Sequence, residues 1–316
     1  MKFDLNEIKN NYLEQLKKIE ASQITELGNI KKFSDYMVLV IGGSVYQIKD
    51  RGKLIKTGKV PVFVNKDIFL KFLEEIIDKK TDFLILNLAW PFSSFLRDNY
   101  PDGKLITGTK EHEFVGLVEK KVGEEIEKYL WETRKQKIKI AVLNDVVSLV
   151  ANKKNCIGGV VGTGLNFGFW INDNSIVNLE TGSFGDFEMS ETGKQVDKLS
   201  INPGKYKIEK EIAGAYLYKH FNLLSKTKIN STKELSEIAE KGNEIDKKIA
   251  KDLLERSASL VSVLIKAIME YLQKEKIDIL IEGSLFWKGY LYKENVYRYL
   301  EMLGVKREKV MIYKLL

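Results

Sequence analysis

Apolar residues recur along the chain at two spacings, one typical of helices and one of strands. The first thirty residues are predicted to form a helix, because their apolar positions recur three or four residues apart. Residues 37–49 (MVLVIGGSVYQIK) predict a strand, a glycine turn and a second strand. Asn65 is a predicted N-cap for the helix that follows it, and a further helix is predicted over residues 111–135. The apolar run DFLILNLAW is typical of a strand buried on both faces.

The second half of the chain restarts the same order of elements. Residues 156–170 (CIGGVVGTGLNFGFW) again predict a strand, a glycine turn and a second strand. Helices are predicted at about residues 205–224, 245–274 and 289–303, with a strand at DILI and a last strand at KVMIY. Two halves that each open with a glycine-turned hairpin indicate a duplicated α/β fold, and the cleft between the halves is the expected ligand site.

Composition narrows the class of protein. The 316 residues carry 51 Lys and Arg against 44 Asp and Glu, a net charge of +7, but the lysines are spread along the chain and lie near acidic residues. That pattern is typical of a solvated mixed-charge surface, so we expect no nucleic-acid partner. Cys156 is the single cysteine, which excludes a disulfide framework and a multi-cysteine metal site. The sequence shows no membrane span and no apolar signal core, so we expect a cytoplasmic protein.

Three sets of residues could carry chemistry. Gly42-Gly43-Ser44 and Gly162-Thr163-Gly164 lie between predicted strands, where consecutive N–H groups can face a phosphate; the alternative is two plain hairpin turns. Asn144-Asp145 lies between a strand and a helix, so Asp145 could accept a proton at a sheet's carboxyl edge or the pair could simply cap the helix. Glu180 follows an apolar strand and Glu209 follows the turn NPGK; both could accept hydrogen bonds from sugar hydroxyls or be surface glutamates near turns.

Several sequence motifs occur in an order that favours chemical roles for these residues over the plain structural alternatives. After VLNDVVSLVA come VGTGLNFGFW, NLETGSFGDF, INPGKYKIEKEIAGAYL and IEGSLFWKGYLYKENVYRYL. Together they resemble the hexokinase family of the actin-like ATPase superfold. MVLVIGGSVYQIK, NLAWPFSS and DGKLITGTKEHEFV resemble its N-terminal segments, so the resemblance runs from about residue 30 to about residue 300.

The resemblance implies an α/β fold of two actin-like (ribonuclease H-like) domains flanking a central cleft. The small domain would span residues 34–142, and the large domain residues 1–33 and 143–316. The implied activity is ATP-dependent phosphorylation of a hexose, most simply glucose to glucose 6-phosphate. ATP with nucleotide-bound Mg²⁺ would be the cofactor, and the hexose and ATP would be small-molecule partners, with no nucleic acid and no membrane; the oligomeric state is left open.

The resemblance also assigns roles to residues. It matches Asp145 to the general base, which also touches the sugar. It matches further sugar ligands to Thr109, Lys110, Asn144, Asn166, Glu180 and Glu209. It matches nucleotide contacts to Gly42, Gly43, Ser44, Gly162, Thr163, Gly164, Gly283 and Ser284.

The chain also departs from the family's pattern. Val40 stands where the first phosphate loop carries an acid, Val45 where it carries an asparagine, and Ala89 where a serine contacts sugar. The alternative is therefore a catalytically weak or inactive homologue that binds sugar as a sensor or interaction module. A zinc-containing bacterial sugar kinase is disfavoured, because it calls for a cysteine cluster. His112 and His220 lack partners at metal-ligand spacing and are expected at the surface or a boundary.

Overall fold

The computed structural model describes residues 3–30, 36–42, 45–107, 112–151 and 153–314. Contacts divide the chain into two compact units. Unit 1 comprises Met1–Ile19, Asn155–Phe167 and Leu179–Leu316, and unit 2 comprises Glu20–Lys154 and Gly168–Asn178. These units differ from the predicted domains at residues 20–33, 143–154 and 168–178; the domain division at residues 34 and 142 stays a prediction.

Helices and strands follow one another in the alternating order that the sequence predicts. The helices are α1 (Leu5–Leu16), α2 (Lys66–Ile76), α3 (Val122–Arg134), α4 (Asp145–Ala151), α5 (Glu191–Lys198), α6 (Lys207–Ile212), α7 (Gly214–Leu224), α8 (Thr232–Lys241), α9 (Glu244–Tyr271), α10 (Ser284–Lys288) and α11 (Tyr292–Met302). The strands are β1 (Ile24–Glu26), β2 (Met37–Ile41), β3 (Val45–Asp50), β4 (Lys53–Lys59), β5 (Phe83–Leu88), β6 (Phe92–Arg97), β7 (Tyr100–Leu105), β8 (Lys139–Asn144), β9 (Cys156–Val161), β10 (Leu165–Trp170), β11 (Ser175–Asn178), β12 (Ile277–Glu282) and β13 (Val310–Tyr313).

Unit 2 is built on a five-stranded sheet with the order β4-β3-β2-β5-β8. Strands β2, β5 and β8 run parallel, and β3 and β4 complete an antiparallel edge. One face packs against α2 and α3 through an aromatic core that includes Phe63, Phe69, Phe72, Trp90 and Phe114. The predicted strands on either side of the first glycine turn, β2 and β3, pair antiparallel, and the predicted buried strand within DFLILNLAW is confirmed as β5. In the same unit, β6 pairs with β7, and β1 and β10 pair with β11.

Unit 1 is built on the strands β10, β9, β12 and β13, in that order. Strand β12 runs parallel to both of its neighbours, β9 and β13. The long helix α9 is buried along most of its length, and α1 packs on it with Ile8, Tyr12 and Leu16 buried. Cys156 at the start of β9 is a buried core residue, as expected. The chain passes between the units within β10, after Phe167.

Two predicted helices are shorter in the structure than the sequence suggests. The prediction of one helix over the first thirty residues is wrong: α1 ends at Leu16, and the chain turns into β1, where β-branched residues pair with β11. The predicted helix at 111–135 begins only at Val122, because Phe114, Gly116 and Glu119 adopt left-handed backbone angles. Asn65 is confirmed as an N-cap, since its Oδ1 accepts a hydrogen bond from the Ile68 N–H.

The predicted helix at 205–224 is interrupted at the position nearest the glycine turn of unit 1. Ala213 is extended between α6 and α7, with a ψ of 149°. The break lets the Gly214 N–H donate to the Gly162 carbonyl at 2.7 Å and the Ala215 N–H donate to the Thr163 carbonyl at 3.3 Å. A continuous helix would use both N–H groups internally, so the interruption attaches the glycine turn to the helical layer.

Candidate functional site

A carboxylate, Glu209, lies at the centre of the predicted sugar ligands of unit 1. Short helix α6 begins after Tyr206, whose φ of 52° is left-handed, and places Glu209 in its first turn. Glu209 Oε2 accepts a hydrogen bond from the Leu165 N–H at 3.1 Å. A Cβ at Gly164 or at Gly182 would lie 3.2 Å or 3.0 Å from the same oxygen. The two glycines therefore give the carboxylate its room and bring strand β10 and the segment after Glu180 against it.

Asn166 and Glu180 are held next to each other by backbone contacts. Asn166 Oδ1 accepts hydrogen bonds from the Phe167 N–H at 2.8 Å and the Thr181 N–H at 3.2 Å. Glu180 takes a left-handed φ of 48°, and the buried Thr181 hydroxyl contacts the phenol oxygen of Tyr12 at 3.0 Å. The structure thus brings Asn166, Glu180 and Glu209 together, as the resemblance implies.

Two tyrosines join this group that the sequence analysis did not single out. Burial raises the pKa of Tyr206, and the charges of Glu180 and Glu209 raise it further. Burial raises the pKa of Tyr216 to about 12, with contributions from Glu209 and Tyr206. Both phenols therefore stay protonated at neutral pH and can donate hydrogen bonds beside the carboxylates. Tyr206 directly follows the NPGK turn, and this position is the sequence feature that could have indicated it as a site residue.

Helix α6 is fixed by two buried ionic side chains that flank Glu209. Lys210 is fully buried and pairs with Asp197, while its Nζ also donates to the Asn202 carbonyl at 2.9 Å. Glu211 is fully buried, pairs with Arg256 at 3.0 Å and accepts hydrogen bonds from the Ser190 N–H and hydroxyl. A helix this short gains little stability from its own hydrogen bonds, so these side chains fix the direction in which Glu209 points.

His220 belongs to the same network, which corrects its predicted place at the surface. The ring is fully buried, with Nδ1 2.7 Å from the Thr192 hydroxyl and Nε2 2.8 Å from the Lys210 carbonyl. Burial and then the Arg256 charge lower its pKa to about 3. His112 is also buried rather than exposed, and its Nδ1 accepts a hydrogen bond from the Phe63 N–H at 3.1 Å. Both histidines are core groups whose hydrogen-bond partners lie on other segments of the chain.

The predicted nucleotide residues of unit 1 form two turns packed backbone to backbone. The Gly162 N–H donates to the Gly164 carbonyl at 3.0 Å, which closes the turn around Thr163. Gly283 has a φ of +119°, and a Cβ there would lie 2.2 Å from the Val161 carbonyl oxygen. Glycine is required at this point by both its backbone angle and the close approach. Ser284 then begins α10.

A cavity of about 740 Å³ opens beside these turns. Gly162, Thr163, Gly214 and Ser284 line one part of it. Hydroxyl and aromatic side chains line another part, among them Ser231, Thr232, Tyr218 and Tyr290, and charged side chains line the remainder, namely Lys233, Glu237, Glu240 and Lys288. The volume lies in the usual range for small-molecule sites of about 300–1,000 Å³. A site of this size, bordered by a glycine turn and a helix start, fits a nucleotide.

In unit 2, Asn144 and Asp145 lie at the junction of β8 and α4. Asn144 Oδ1 and Asp145 Oδ1 both accept from the Val146 N–H, at 3.0 Å and 2.8 Å. Both side chains therefore make the hydrogen bonds expected if they cap helix α4. Asp145 is half-buried at the carboxyl end of a parallel strand, so a role as proton acceptor is compatible with the same geometry.

The remaining predicted contacts of unit 2 are only partly described. The Gly42 N–H donates to the Val45 carbonyl at 3.0 Å across the first glycine turn. Gly43, Ser44, Thr109 and Lys110 lie outside the described residues.

Two further observations concern metal-ion sites and helices that could cross a membrane. Within the described ranges, no group of three or more His, Cys, Asp or Glu residues could hold a metal ion. A nucleotide-bound Mg²⁺ does not need such a group, because it keeps several waters and is held mainly by phosphates. The buried Asn87 Oδ1, on β5 beside Val40, has no hydrogen-bond partner in the described part of the chain. None of the described helices combines the length and apolar character that a membrane crossing needs.

Comparison with solved structures finds the same fold in hexokinases and in ROK-family proteins. The chain is similar to the hexokinase from Schistosoma mansoni complexed with glucose, with a TM-score of 0.76 and 18% identity over 99% of this chain and 92% of that one. It is similar to the ROK hexokinase from Thermus thermophilus, with a TM-score of 0.56 and 14% identity over 88% of this chain and 92% of that one. It is also similar to a ROK family glucokinase from Streptomyces griseus in complex with glucose and AMPPNP, with a TM-score of 0.55 and 14% identity over 88% of this chain and 93% of that one.

These likenesses confirm the predicted hexokinase-type α/β fold. No protein-family model and no curated protein matches the sequence. At this level of identity the comparisons show the fold.

Proposed function

We propose that the protein is a sugar kinase that transfers the γ-phosphoryl group of ATP to a hexose hydroxyl, most simply the 6-hydroxyl of glucose. One observation carries the proposal. The turn Gly162-Thr163-Gly164 lines the nucleotide-sized cavity with its first two residues and lies against Glu209 with its third. A phosphate bound at this turn would therefore be next to a sugar bound by the carboxylates.

The residues then take the following roles. Glu180 and Glu209 accept hydrogen bonds from sugar hydroxyls, and Asn144, Asn166, Thr109 and Lys110 complete the sugar ligands. Gly42, Gly43, Ser44, Gly162, Thr163, Gly164, Gly283 and Ser284 contact the nucleotide. Asp145 accepts the proton of the attacking hydroxyl, which is a poor nucleophile at neutral pH. Mg²⁺ bound to the nucleotide would neutralise phosphate charge, and backbone N–H groups of the glycine turns other than those of Gly42 and Gly162, which bond within the turns, would stabilise charge that develops during transfer.

The test is direct measurement of sugar phosphate after incubation with glucose, ATP and Mg²⁺. We expect product from the parent and none from Asp145→Asn, because the amide keeps the size of the side chain but cannot accept the proton. Asp145→Asn should still bind glucose in calorimetry. Near-parental turnover in that variant would contradict the general-base role.

A second candidate is a sugar-binding homologue with weak or no kinase activity. Val40 favours it, because valine cannot accept a hydrogen bond from a metal-bound water. Glucose binding in calorimetry without sugar phosphate, across a panel of hexoses and phosphoryl donors, would support this candidate over the kinase.

A further inference from the structure

The first turns of helix α7 carry side chains that belong to both parts of the candidate site. Gly214, Ala215 and Tyr218 line the cavity beside the glycine turn of unit 1. Tyr216 lies on the side of Glu209, because the Ala213 break brings α6 and α7 together there. The Ala213 N–H donates to the Glu209 carbonyl at 2.7 Å, and the Tyr216 N–H donates to the Ala213 carbonyl at 2.9 Å. The charge of Glu209 also contributes to the raised pKa of Tyr216.

Lys219 lies between these two faces of α7. Successive residues of a helix are about 100° apart, so Lys219 is about 40° from Ala215 and about 60° from Tyr216 around the axis. Long side chains on a helix point back toward its N-terminus. The contacts of Lys219 agree with this direction, because its Nζ is 5.2 Å from the centre of the Tyr216 ring and 5.9 Å from that of Tyr218. The ammonium group is therefore directed toward the first turn of α7.

The first turn of α7 is bonded to the glycine turn. The Ala215 N–H donates to the Thr163 carbonyl at 3.3 Å. Gly164, the next residue of the glycine turn, lies against Glu209. Lys219 thus points from α7 toward the place where a phosphate bound at the glycine turn would face a sugar bound by Glu209.

Lys219 is also available to bind an anion. Its side chain is exposed, and no carboxylate of the described residues forms an ion pair with it. Cation–π contacts at exposed sites are weak, so a phosphate can replace the two tyrosine rings as its partner. Two other lysines, Lys233 and Lys288, line the cavity itself. Lys233 lies 3.7 Å from Glu237, which leaves Lys288 as the competing cation for a bound phosphate.

We propose that Lys219 binds the terminal phosphate of the nucleotide and holds the transferable group on the side of the cavity that faces the sugar carboxylates. This inference rests on the proposed function and adds a side-chain cation to the backbone groups of the glycine turns. Lysine suits the role, because its compact charge carries three donors and ionised phosphate oxygens only accept. A cation at this place would also stabilise the charge on the phosphoryl group during transfer.

The experiment compares Lys219→Met with the parent by calorimetry against AMP, ADP and a non-hydrolysable ATP analogue, each with Mg²⁺. Methionine keeps much of the length of the side chain and removes its charge. We expect the affinity for the ATP analogue to fall at least fivefold, the affinity for ADP to fall less, and those for AMP and glucose to stay unchanged. Added KCl should weaken binding of the ATP analogue more in the parent than in Lys219→Met, because salt screens an exposed ion pair.

Three further variants separate this contact from general effects. Lys219→Arg keeps the charge and should retain the parent's preference for the ATP analogue. Lys135→Met removes an exposed lysine that makes the same kind of contact, with its Nζ 5.5 Å from the centre of the Trp131 ring, and should leave all three affinities unchanged. Lys288→Met should not discriminate between ADP and the ATP analogue. All the variants should melt as the parent does, because exposed substitutions change stability little.

The opposing outcomes are distinct. If Lys219→Met binds all three nucleotides as the parent does, or loses AMP affinity as much as ATP-analogue affinity, the role of Lys219 is wrong and the proposed kinase function stands. The role is also wrong if the selective loss appears in Lys288→Met and not in Lys219→Met. A parent that binds glucose and none of the three nucleotides would instead overturn the proposed kinase function, and the role of Lys219 with it.

Discussion

The buried ion pair beside Glu209 gives a prediction that does not depend on the proposed activity. Arg256→Met would remove the guanidinium that lies 3.0 Å from the fully buried Glu211. It would also remove contacts to the Ser190 hydroxyl at 3.3 Å and to His220 Nδ1 at 3.1 Å. An unpaired carboxylate in such surroundings costs about 3–5 kcal/mol of stability.

An exposed pair in the same unit provides the matched control. Arg298 lies 2.7 Å from Glu255, and these two side chains are 51% and 39% exposed. Arg298→Met should therefore cost only about 0.2–1 kcal/mol. The double variant Arg256→Met/Glu211→Gln should recover much of the loss, because it removes both charges and keeps an oxygen that can accept from the Ser190 N–H. The expected coupling energy between the two positions is at least about 2 kcal/mol.

The measurement is urea denaturation followed by circular dichroism. Hydrogen exchange of peptides from α6 and α9 would assign the loss to unit 1, because a chain with two units need not unfold in one step. Arg256→Met costing no more than Arg298→Met, or a double variant as unstable as the single one, would refute this account of α6.

Three other predictions concern the sugar site, the buried histidine and the first glycine turn. Glu209→Ala and Glu180→Ala should each weaken glucose binding by about 1.5–3 kcal/mol, with ATP affinity much less affected; unchanged glucose affinity in both, by calorimetry, would exclude them as sugar ligands. The pKa of His220 is depressed to about 3 in the folded chain, so its contribution is complete above the unfolded pKa of about 6.5 and falls as pH drops toward 3. Between pH 7 and pH 5 the parent should lose about 2 kcal/mol more than His220→Gln, as measured by urea denaturation at each pH; parallel losses would show that the ring titrates normally. Val40→Asp should raise ATP-dependent turnover in ATP and Mg²⁺ titrations, and a folded variant with no gain would show that this position does not limit transfer.

The sequence predicted the strands better than the ends of the helices. Alternating and continuous apolar runs, such as those of β2 and β5, depend on local pattern, and the structure confirms them. The start of α3 could not be predicted, because Phe114 and Glu119 adopt left-handed backbone angles without being glycine. The break at Ala213 was hidden for a related reason: its cause is a hydrogen bond from Gly214 to a carbonyl about fifty positions earlier.

In the candidate site, too, features of local sequence could be predicted and contacts between distant residues could not. Motif resemblance indicated Asn166, Glu180 and Glu209, and the structure gathers them around Gly164 and Gly182. The burial of His112 and His220 could not be predicted, because it depends on partners such as the Phe63 N–H and Thr192 from other elements. Asn87 carried a visible signal, a polar residue inside an apolar run, but its unpaired oxygen required coordinates.

The packing of α1 on α9 has a consequence for synthesis of the chain. Lys9 pairs with Glu270, 261 residues later, and the apolar face of α1 is covered by the same helix. At about 5–20 residues per second, roughly 13–50 s separate the appearance of the two partners at the ribosome. Until α9 has been synthesised, Ile8, Tyr12 and Leu16 lack the helix that covers them in the folded chain. The nascent α1 segment is therefore a predicted binding site for a chaperone, and polar substitutions on this face should change the yield of folded protein as well as its stability.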